Sequence, residues 1–159
     1  MCHSNRRGIR MDANLLLQFK DLGIAASLAF AAIGSALGTG AAGMAAVGSW
    51  KKCFAQNKNA PFILTVFVGA PLSQTIYGMI VMNALLELAK NGQFMWGDSA
   101  LCGIAMGVSA WMQGKAGAAA SDAMAETGKG FGNYLMVLGV IETVALFVMV
   151  FILMAVGNL

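Results

Sequence analysis

Charged residues are scarce in this sequence, and their scarcity excludes an ordinary soluble domain. Only 11% of the 159 residues are charged, 58% are hydrophobic, and the mean hydropathy is +0.72. A typical soluble domain carries about 25% charged residues. The formal net charge is only +3 and the basic residues are scattered, which argues against a nucleic-acid-binding face. The composition therefore indicates a membrane protein.

Histidine and cysteine are also scarce, so the chain has little material for a metal centre or a disulfide framework. His3 is the single histidine, and Cys2, Cys53 and Cys102 have neither a CxxC nor a CxxxC spacing. This argues against a zinc site and favours thiols that act as small apolar side chains. The GxxxxGK[ST] motif is absent and residues 40–49 are merely rich in glycine. We therefore expect neither an ATP site nor a cofactor nor a catalytic site in this chain.

The chain does contain four apolar runs, at about residues 22–47, 61–88, 99–120 and 131–157. Each run reaches the roughly 20 residues that a helix needs to cross the hydrocarbon core of a bilayer. We therefore predict an all-α membrane protein with four transmembrane helices in a single domain, residues 11–159. Residues 1–10 are polar and basic. We expect this segment to be a disordered tail or a misassigned start, with the native protein beginning at Met11.

The first run is rich in small residues. Gly34, Gly38 and Gly43 stand among alanines, serines and a threonine. Glycine does not prevent a helix in lipid, because the backbone there must satisfy its own hydrogen bonds. Small residues also let two membrane helices approach closely. The pattern predicts that these three glycines lie at helix–helix contacts.

An internal repeat is visible at an offset of about 80 residues. The first and third runs share these matches: Gly23-Ile24-Ala25 with Gly103-Ile104-Ala105, Gly34 with Gly114, Ala36 with Ala116, Met44-Ala45 with Met124-Ala125, and Gly48 with Gly128. The second and fourth runs align Gln74 with Glu142 after a shorter loop. The repeat predicts two tandem hairpins, each pairing a thin Gly/Ala-rich helix with a bulkier one.

One carboxylate, Glu142, lies in the middle of the fourth apolar run. A charged side chain near the bilayer centre is unfavourable, so it indicates a functional site by default. Ser73, Gln74 and Gln113 lie near the middle of the second and third runs, at comparable depth. Such amides and hydroxyls often only join neighbouring helices, and Glu142 could be a structural acid that stays protonated. The shared depth of the four groups favours a common site.

These groups suit a monovalent cation that has lost its water. The oxygens that could replace its hydration shell, as carbonyls do in channel filters, belong to Ser73, Gln74, Gln113, Glu142 and the backbone of Ala70 beside Pro71. A proton carrier needs only a carboxylic acid with one acceptor nearby, and further buried amides would each cost about 1–3 kcal/mol unless they were bonded. We therefore expect Na⁺ as the carried ion, with protons able to occupy the same site at low pH.

Three stretches resemble the membrane rotor proteolipid (the K or c subunit) of V-type ATPases, particularly the bacterial sodium-translocating kind. They are PLSQTIYG at residues 71–78, QGK at residues 113–115 and IET at residues 141–143, and the similarity extends over residues 11–159. The resemblance implies that Glu142 is the ion-carrying carboxylate and that Tyr77 locks it through a hydrogen bond. The implied ligands are the side chains of Ser73, Gln74, Gln113 and Glu142 and the carbonyl of Ala70, where the family often has leucine.

The resemblance also implies an assembly. Identical copies would form a ring in the bilayer, with Gly34, Gly38 and Gly43 packing its inner helices. Glu142 would meet a stator membrane subunit at the outer surface of the ring, and ATP would be hydrolysed on other subunits.

The distribution of lysines predicts the orientation of the chain. The positive-inside rule places the connections at residues 49–60 and 121–130 in the cytoplasm, where a central-stalk subunit would dock. Their lysines are Lys51, Lys52, Lys58 and Lys129. Both termini are then expected outside, in the plasma membrane of a prokaryotic cell. A start at Met11 fits this orientation because it removes the arginines of residues 1–10 from the outer side.

Three other functions stay open at this point. A proton-carrying rotor of the same family differs only in the ion. A small four-helix proton-coupled transporter also uses a membrane glutamate, but typically in its first helix and beside a cavity. A purely structural membrane protein would leave Glu142 and the two glutamines without a role.

Overall fold

Helices account for nearly all of residues 23–157, the part of the chain that the structure, a computed structural model, describes. In chain order they are α1 Ala26–Ala55, α2 Leu64–Gly69, a 3₁₀ turn Ala70–Leu72, α3 Ser73–Lys90, α4 Trp96–Thr127 and α5 Phe131–Gly157. No strand occurs within this range, which confirms the predicted all-helical class. The predicted tail at residues 1–10 and the predicted start at Met11 lie outside the described residues.

Three helical stretches are long and apolar enough to cross a membrane, Ala26–Ala55, Leu64–Lys90 and Phe131–Gly157. The chain is therefore a multi-pass membrane protein, as predicted. Helix α4 is the longest described helix, with 32 residues, but it is not among the three. Its many small residues, together with charged side chains such as Asp98 and Lys115, lower its hydropathy. The predicted span over residues 99–120, the third in chain order, stays a prediction.

Helices α1 and α4 extend well beyond the apolar runs, which end at about residues 47 and 120. Lys52 lies in the last turn of α1 and Glu126 near the end of α4, because Lys and Glu favour helix in water as well. Left-handed backbone follows both helices, with φ of 53° at Asn57 and 66° at Gly128. The connections are correspondingly shorter than predicted, residues 56–63 and 128–130. Helix α5 has the bounds predicted for the last span.

The two Gly/Ala-rich helices, α1 and α4, are parallel and in close contact. Near their starts the backbone N–H of Ser27 donates to the hydroxyl of Ser99, 3.1 Å away. Further along, a Cβ added at Gly34 would collide with the backbone of Gly107, and one added at Gly114 would collide with the backbone of Gly38. The contact therefore depends on backbone lying directly against backbone, as small residues permit.

This packing assigns Gly34 and Gly38 to a contact within one subunit. A Cβ at Gly38 would also lie 2.9 Å from the Cβ of Pro71. Gly43 differs, because a Cβ there would lie at an ordinary 3.6 Å from Val68. The predicted role of these glycines in packing the ring stays a prediction.

The bulkier helices pack on this pair as two apolar clusters separated along the bundle. One cluster joins Val81, Leu85, Met106 and Ala145, among others. The other joins Leu64, Phe67, Ala120 and Leu138 with Ala46, and the ring of Phe67 lies 5.5 Å from that of Phe131. On α3, α4 and α5 alike, the residues between the two clusters include polar side chains. The fold thus provides one polar layer between two apolar ones.

Candidate ion-binding site

The polar layer is built from three helices. Helix α3 contributes Ser73, Gln74 and Tyr77, helix α4 contributes Gln113, and helix α5 contributes Glu142. The structure joins all five side chains in one connected set of hydrogen bonds. The residues that shared only a depth in the sequence therefore lie together in the fold.

Both carboxylate oxygens of Glu142 accept a hydrogen bond. The hydroxyl of Tyr77 donates to Oε1 at 2.7 Å, and Nε2 of Gln113 donates to Oε2 at 3.3 Å. The glutamate side chain is only partly buried, so it lies at the edge of the bundle with its two oxygens held from α3 and α4. This hydrogen bond joins Tyr77 to Glu142, the two residues between which the lock is predicted.

The two glutamines form the buried interior of the site. Gln74 and Gln113 are both fully buried, with 0% relative exposure. Nε2 of Gln74 donates to Oε1 of Gln113 at 2.8 Å, and Nε2 of Gln113 donates to the carbonyl of Leu138 at 3.0 Å. Each amide therefore has a partner without any ion, which is also what amides that only join helices would show.

Ser73 connects the amide layer to the backbone of the preceding turn. Its hydroxyl lies 3.2 Å from the carbonyl oxygen of Ala70 and 3.2 Å from Oε1 of Gln74. A hydroxyl has one hydrogen, so it donates to one of these oxygens at a time. The predicted carbonyl of Ala70 is thus within one hydrogen bond of the predicted ligand Ser73.

A helix break positions these residues. Pro71 has no N–H, so the helical carbonyl four residues earlier, that of Phe67, loses its usual partner. The chain passes from α2 through the 3₁₀ turn Ala70–Leu72 into α3. Ser73 and Gln74 consequently occupy the first turn of α3, and Pro71 itself is buried against Gly38.

Sequence reasoning missed one residue of this layer. The hydroxyl of Ser109 donates to the carbonyl of Ile141 at 2.9 Å, one residue before Glu142. Ser109 stands four positions before Gln113 and hence on the same face of α4, a spacing that could have identified it. Thr143, by contrast, donates within its own helix, to the carbonyl of Val140, and has no other side-chain bond in the described part of the chain.

The oxygens of this layer that belong to the predicted ligands are all hard ligands. They are a carboxylate, two amide oxygens, a hydroxyl and a backbone carbonyl, drawn from three helices and from the break that precedes α3. Such a set can bind a small cation in place of water, and the negative charge of the carboxylate would be neutralised by it. Chemically, the layer can hold a proton or a monovalent metal ion.

Comparison with known protein families gives a match over the second predicted hairpin of the chain, helices α4 and α5. Residues 99–155 match the family model of the ATP synthase C subunit, and no curated protein matches the chain. The match covers about a third of the chain, most of α4 and α5, the two helices that carry Gln113 and Glu142. It supports a rotor proteolipid, the component whose identical copies form the ion-carrying ring of an ATPase in the membrane.

Proposed function

We propose that this chain is the rotor subunit of a V-type ATPase and that it carries Na⁺ on Glu142. The observation that supports this most is the convergence of a carboxylate, two amides and a hydroxyl from three helices, between two apolar clusters. The family match of the second hairpin supports the rotor. The V-type assignment rests on the first hairpin, which lies outside that match and supplies Ser73, Gln74 and Tyr77.

The proposed ligands are the oxygens of Glu142, Gln113, Gln74, Ser73 and the carbonyl of Ala70. In this structure Gln113 points its nitrogen, not its oxygen, toward Glu142. Turning that amide by half a rotation exchanges the two atoms with little change of shape. Binding Na⁺ therefore requires the amides to exchange some of their present hydrogen bonds for contacts with the ion.

Tyr77 would hold the loaded carboxylate in place. Its hydroxyl donates to the carboxylate oxygen that Gln113 does not contact. This bond restricts the rotation of the Glu142 side chain toward the surface of the bundle. Release of the ion then requires the bond to break, as expected where a stator subunit meets the ring.

The ring would place α1 and α4 inside and the bulkier helices outside. Helix α5 supports this arrangement, because only 11% of its most apolar 18-residue stretch is buried within the chain. The rest of that stretch is free to face lipid or a neighbouring subunit. The central stalk would dock on connections 56–63 and 128–130. These connections lie at the same end of the bundle, where Lys52 and Asp122 form an ion pair at 2.6 Å. This end would face the cytoplasm of a prokaryotic cell.

A proton-carrying rotor is the second candidate. The observation in its favour is that the nitrogen and the oxygen of both amides already have protein partners, so most of the penalty for burying them is relieved without a metal ion. The choice of Na⁺ therefore depends on the number of oxygens that converge, and it needs a direct test.

Labelling by a hydrophobic carbodiimide provides that test, because the reagent reacts with the neutral acid in an apolar site. If Glu142 binds Na⁺, labelling of purified rings at fixed pH should slow as sodium is added, and potassium should protect much less. Gln113→Leu should weaken the protection by sodium. Labelling that depends on pH alone, with no response to millimolar sodium, would assign the site to protons.

A further inference from the structure

Two buried hydroxyls, those of Ser35 and Ser49 on α1, have no hydrogen-bond partner within the described part of the chain. Both residues are 2% exposed. The other buried serines of the bundle are bonded, as follows: Ser27 to Gly78, Ser99 to Ile24, Ser109 to Ile141 and Ser121 to Gly117. Buried polar groups are rarely left unpaired, so each exception needs an explanation.

Contacts at two levels establish the register of α1 against the break and α3. A Cβ at Gly78 would lie 2.8 Å from the Cβ of Ala31. A Cβ at Gly38 would lie 2.9 Å from the Cβ of Pro71. From the first contact to the second, the residue number rises on α1, from Ala31 to Gly38, and falls on the facing segment, from Gly78 to Pro71. Helix α1 and the segment formed by the break and α3 are therefore antiparallel.

This register places Ser35 at the level of the ion-binding site. Ser35 lies between Ala31 and Gly38 on α1, and Gln74 lies at the corresponding position between Gly78 and Pro71. Both side chains are buried. Ser49 lies 14 positions further along α1, about 21 Å from Ser35 at the rise of a helix, and hence far from the site.

Within the described residues, the amide of Gln74 has an unused N–H for which the hydroxyl oxygen of Ser35 is a possible acceptor. One N–H of this amide donates to Oε1 of Gln113, and among residues 23–157 the second N–H has no bond. If the oxygen of Gln113 binds a cation, it becomes a poorer acceptor for Gln74. The hydroxyl oxygen of Ser35 is then the unused acceptor at the same level.

We propose that Ser35 is a positioning residue of the ion site, whose hydroxyl accepts a hydrogen bond from the Gln74 amide and so turns the amide oxygen toward the bound cation. The proposal rests on the proposed sodium function. The hydroxyl hydrogen of Ser35 can then donate to the carbonyl one turn back on α1, as Ser121 does in α4.

The experiment compares two matched variants, Ser35→Ala and Ser49→Ala, each of which removes one buried and unpaired hydroxyl. The apparent sodium affinity is measured on assembled rings from the protection of Glu142 against carbodiimide. Ser35→Ala should weaken that affinity about fivefold, the factor expected for one lost hydrogen bond. Ser49→Ala should leave the affinity unchanged. Labelling without sodium should be the same in both.

Ser35→Cys provides the same measurement with a side chain of similar size that is a weaker acceptor, and it replaces Ser35→Ala if that variant fails to assemble. Equal sodium affinity in the Ser35 variants, Ser49→Ala and wild-type rings would overturn the role of Ser35 while leaving sodium binding in place. Wild-type rings that sodium does not protect would overturn the proposed function and this inference together. Equal losses in both alanine variants would show a general packing effect and would overturn the specific role.

Discussion

Glu142 is tolerated in an apolar bundle because its two oxygens have donors on two different helices. Tyr77 lies at 2.7 Å and Gln113 at 3.3 Å, and both donors come from the same polar layer. A carboxylate held in this way can exchange a proton or a cation for these partners without leaving the layer. This makes it the natural target for substitution.

Glu142→Gln should abolish carbodiimide labelling and coupled ion transport while leaving ring assembly intact, because glutamine keeps the shape and loses the acid. The measurements are labelling of purified rings and transport in reconstituted vesicles. Glu87 and Glu126 serve as internal controls, since both are exposed carboxylates in ion pairs with lysines. Persistent labelling on either of them would show that another carboxylate carries the ion.

Tyr77→Phe should loosen the carboxylate without dismantling the bundle, because it removes one hydroxyl from a partly buried ring. We expect faster carbodiimide labelling of Glu142 and sodium protection weakened by about two- to tenfold, the range for one hydrogen bond. Tyr134→Phe is the matched control, since that ring packs edge-on against Phe67 in the cluster away from Glu142. Equal behaviour of the two variants would contradict a lock at Tyr77.

The chemistry-bearing residues of the layer could be found from the sequence because amides and carboxylates are conspicuous in apolar runs. Ser73, Gln74, Gln113 and Glu142 stand out by composition and depth alone. Ser35 could not be found in this way, because serine is common in Gly/Ala-rich helices, where most serines bond to the backbone. Which serine faces the site depends on helix rotation and register, and these follow only from packing.

At the scale of the helices, the sequence identified the kind of each element better than its ends. The apolar runs located the helices, but α1 and α4 continue into polar sequence because Lys and Glu favour helix wherever the backbone is free to continue. The break at Pro71 was foreseeable from the residue type. Its consequence, an α3 that begins at Ser73, required the structure.

The contact between α1 and α4 predicts unequal effects of identical substitutions. Gly38→Ala would place a methyl group against the carbonyl of Ala110 and 2.9 Å from Pro71, whereas Gly43→Ala meets only Val68 at 3.6 Å and Gly40→Ala meets nothing within 4 Å. We expect Gly38→Ala to destabilise the subunit by about 1–3 kcal/mol, as overpacking does. Thermal stability in detergent and ring yield on a denaturing gel measure the difference. Equal stability of all three variants would show that the helices can separate without loss.

At the scale of the whole molecule, the exposed apolar surface requires an apolar environment such as a membrane. Large apolar side chains such as Met44, Leu101 and Met136 are exposed on three different helices, far beyond what a monomer in water tolerates. The family match supports a ring of identical subunits. A detergent-resistant ring on a denaturing gel would distinguish this assembly from a self-contained transporter.

One experiment can test both the orientation of the chain and the predicted span at α4. It uses three exposed positions, one in each connection between helices. They are Asn59, Gln93 and Lys129, changed singly to cysteine in a background without the native cysteines. Cys53 and Cys102 are buried in the described bundle, and alanine is chosen to replace them because it removes only one sulfur atom from each. A membrane-impermeant maleimide is applied to intact cells and to inverted vesicles.

If α4 crosses the bilayer and lysine-rich connections face the cytoplasm, Gln93→Cys should be labelled in intact cells, and Asn59→Cys and Lys129→Cys only in inverted vesicles. The reverse pattern would overturn the orientation and keep four spans. Labelling of Lys129→Cys from the same side as Gln93→Cys would show that α4 does not span. The proposed mid-membrane ion site would then be overturned as well, because the bond between Gln113 and Glu142 needs both helices at one depth.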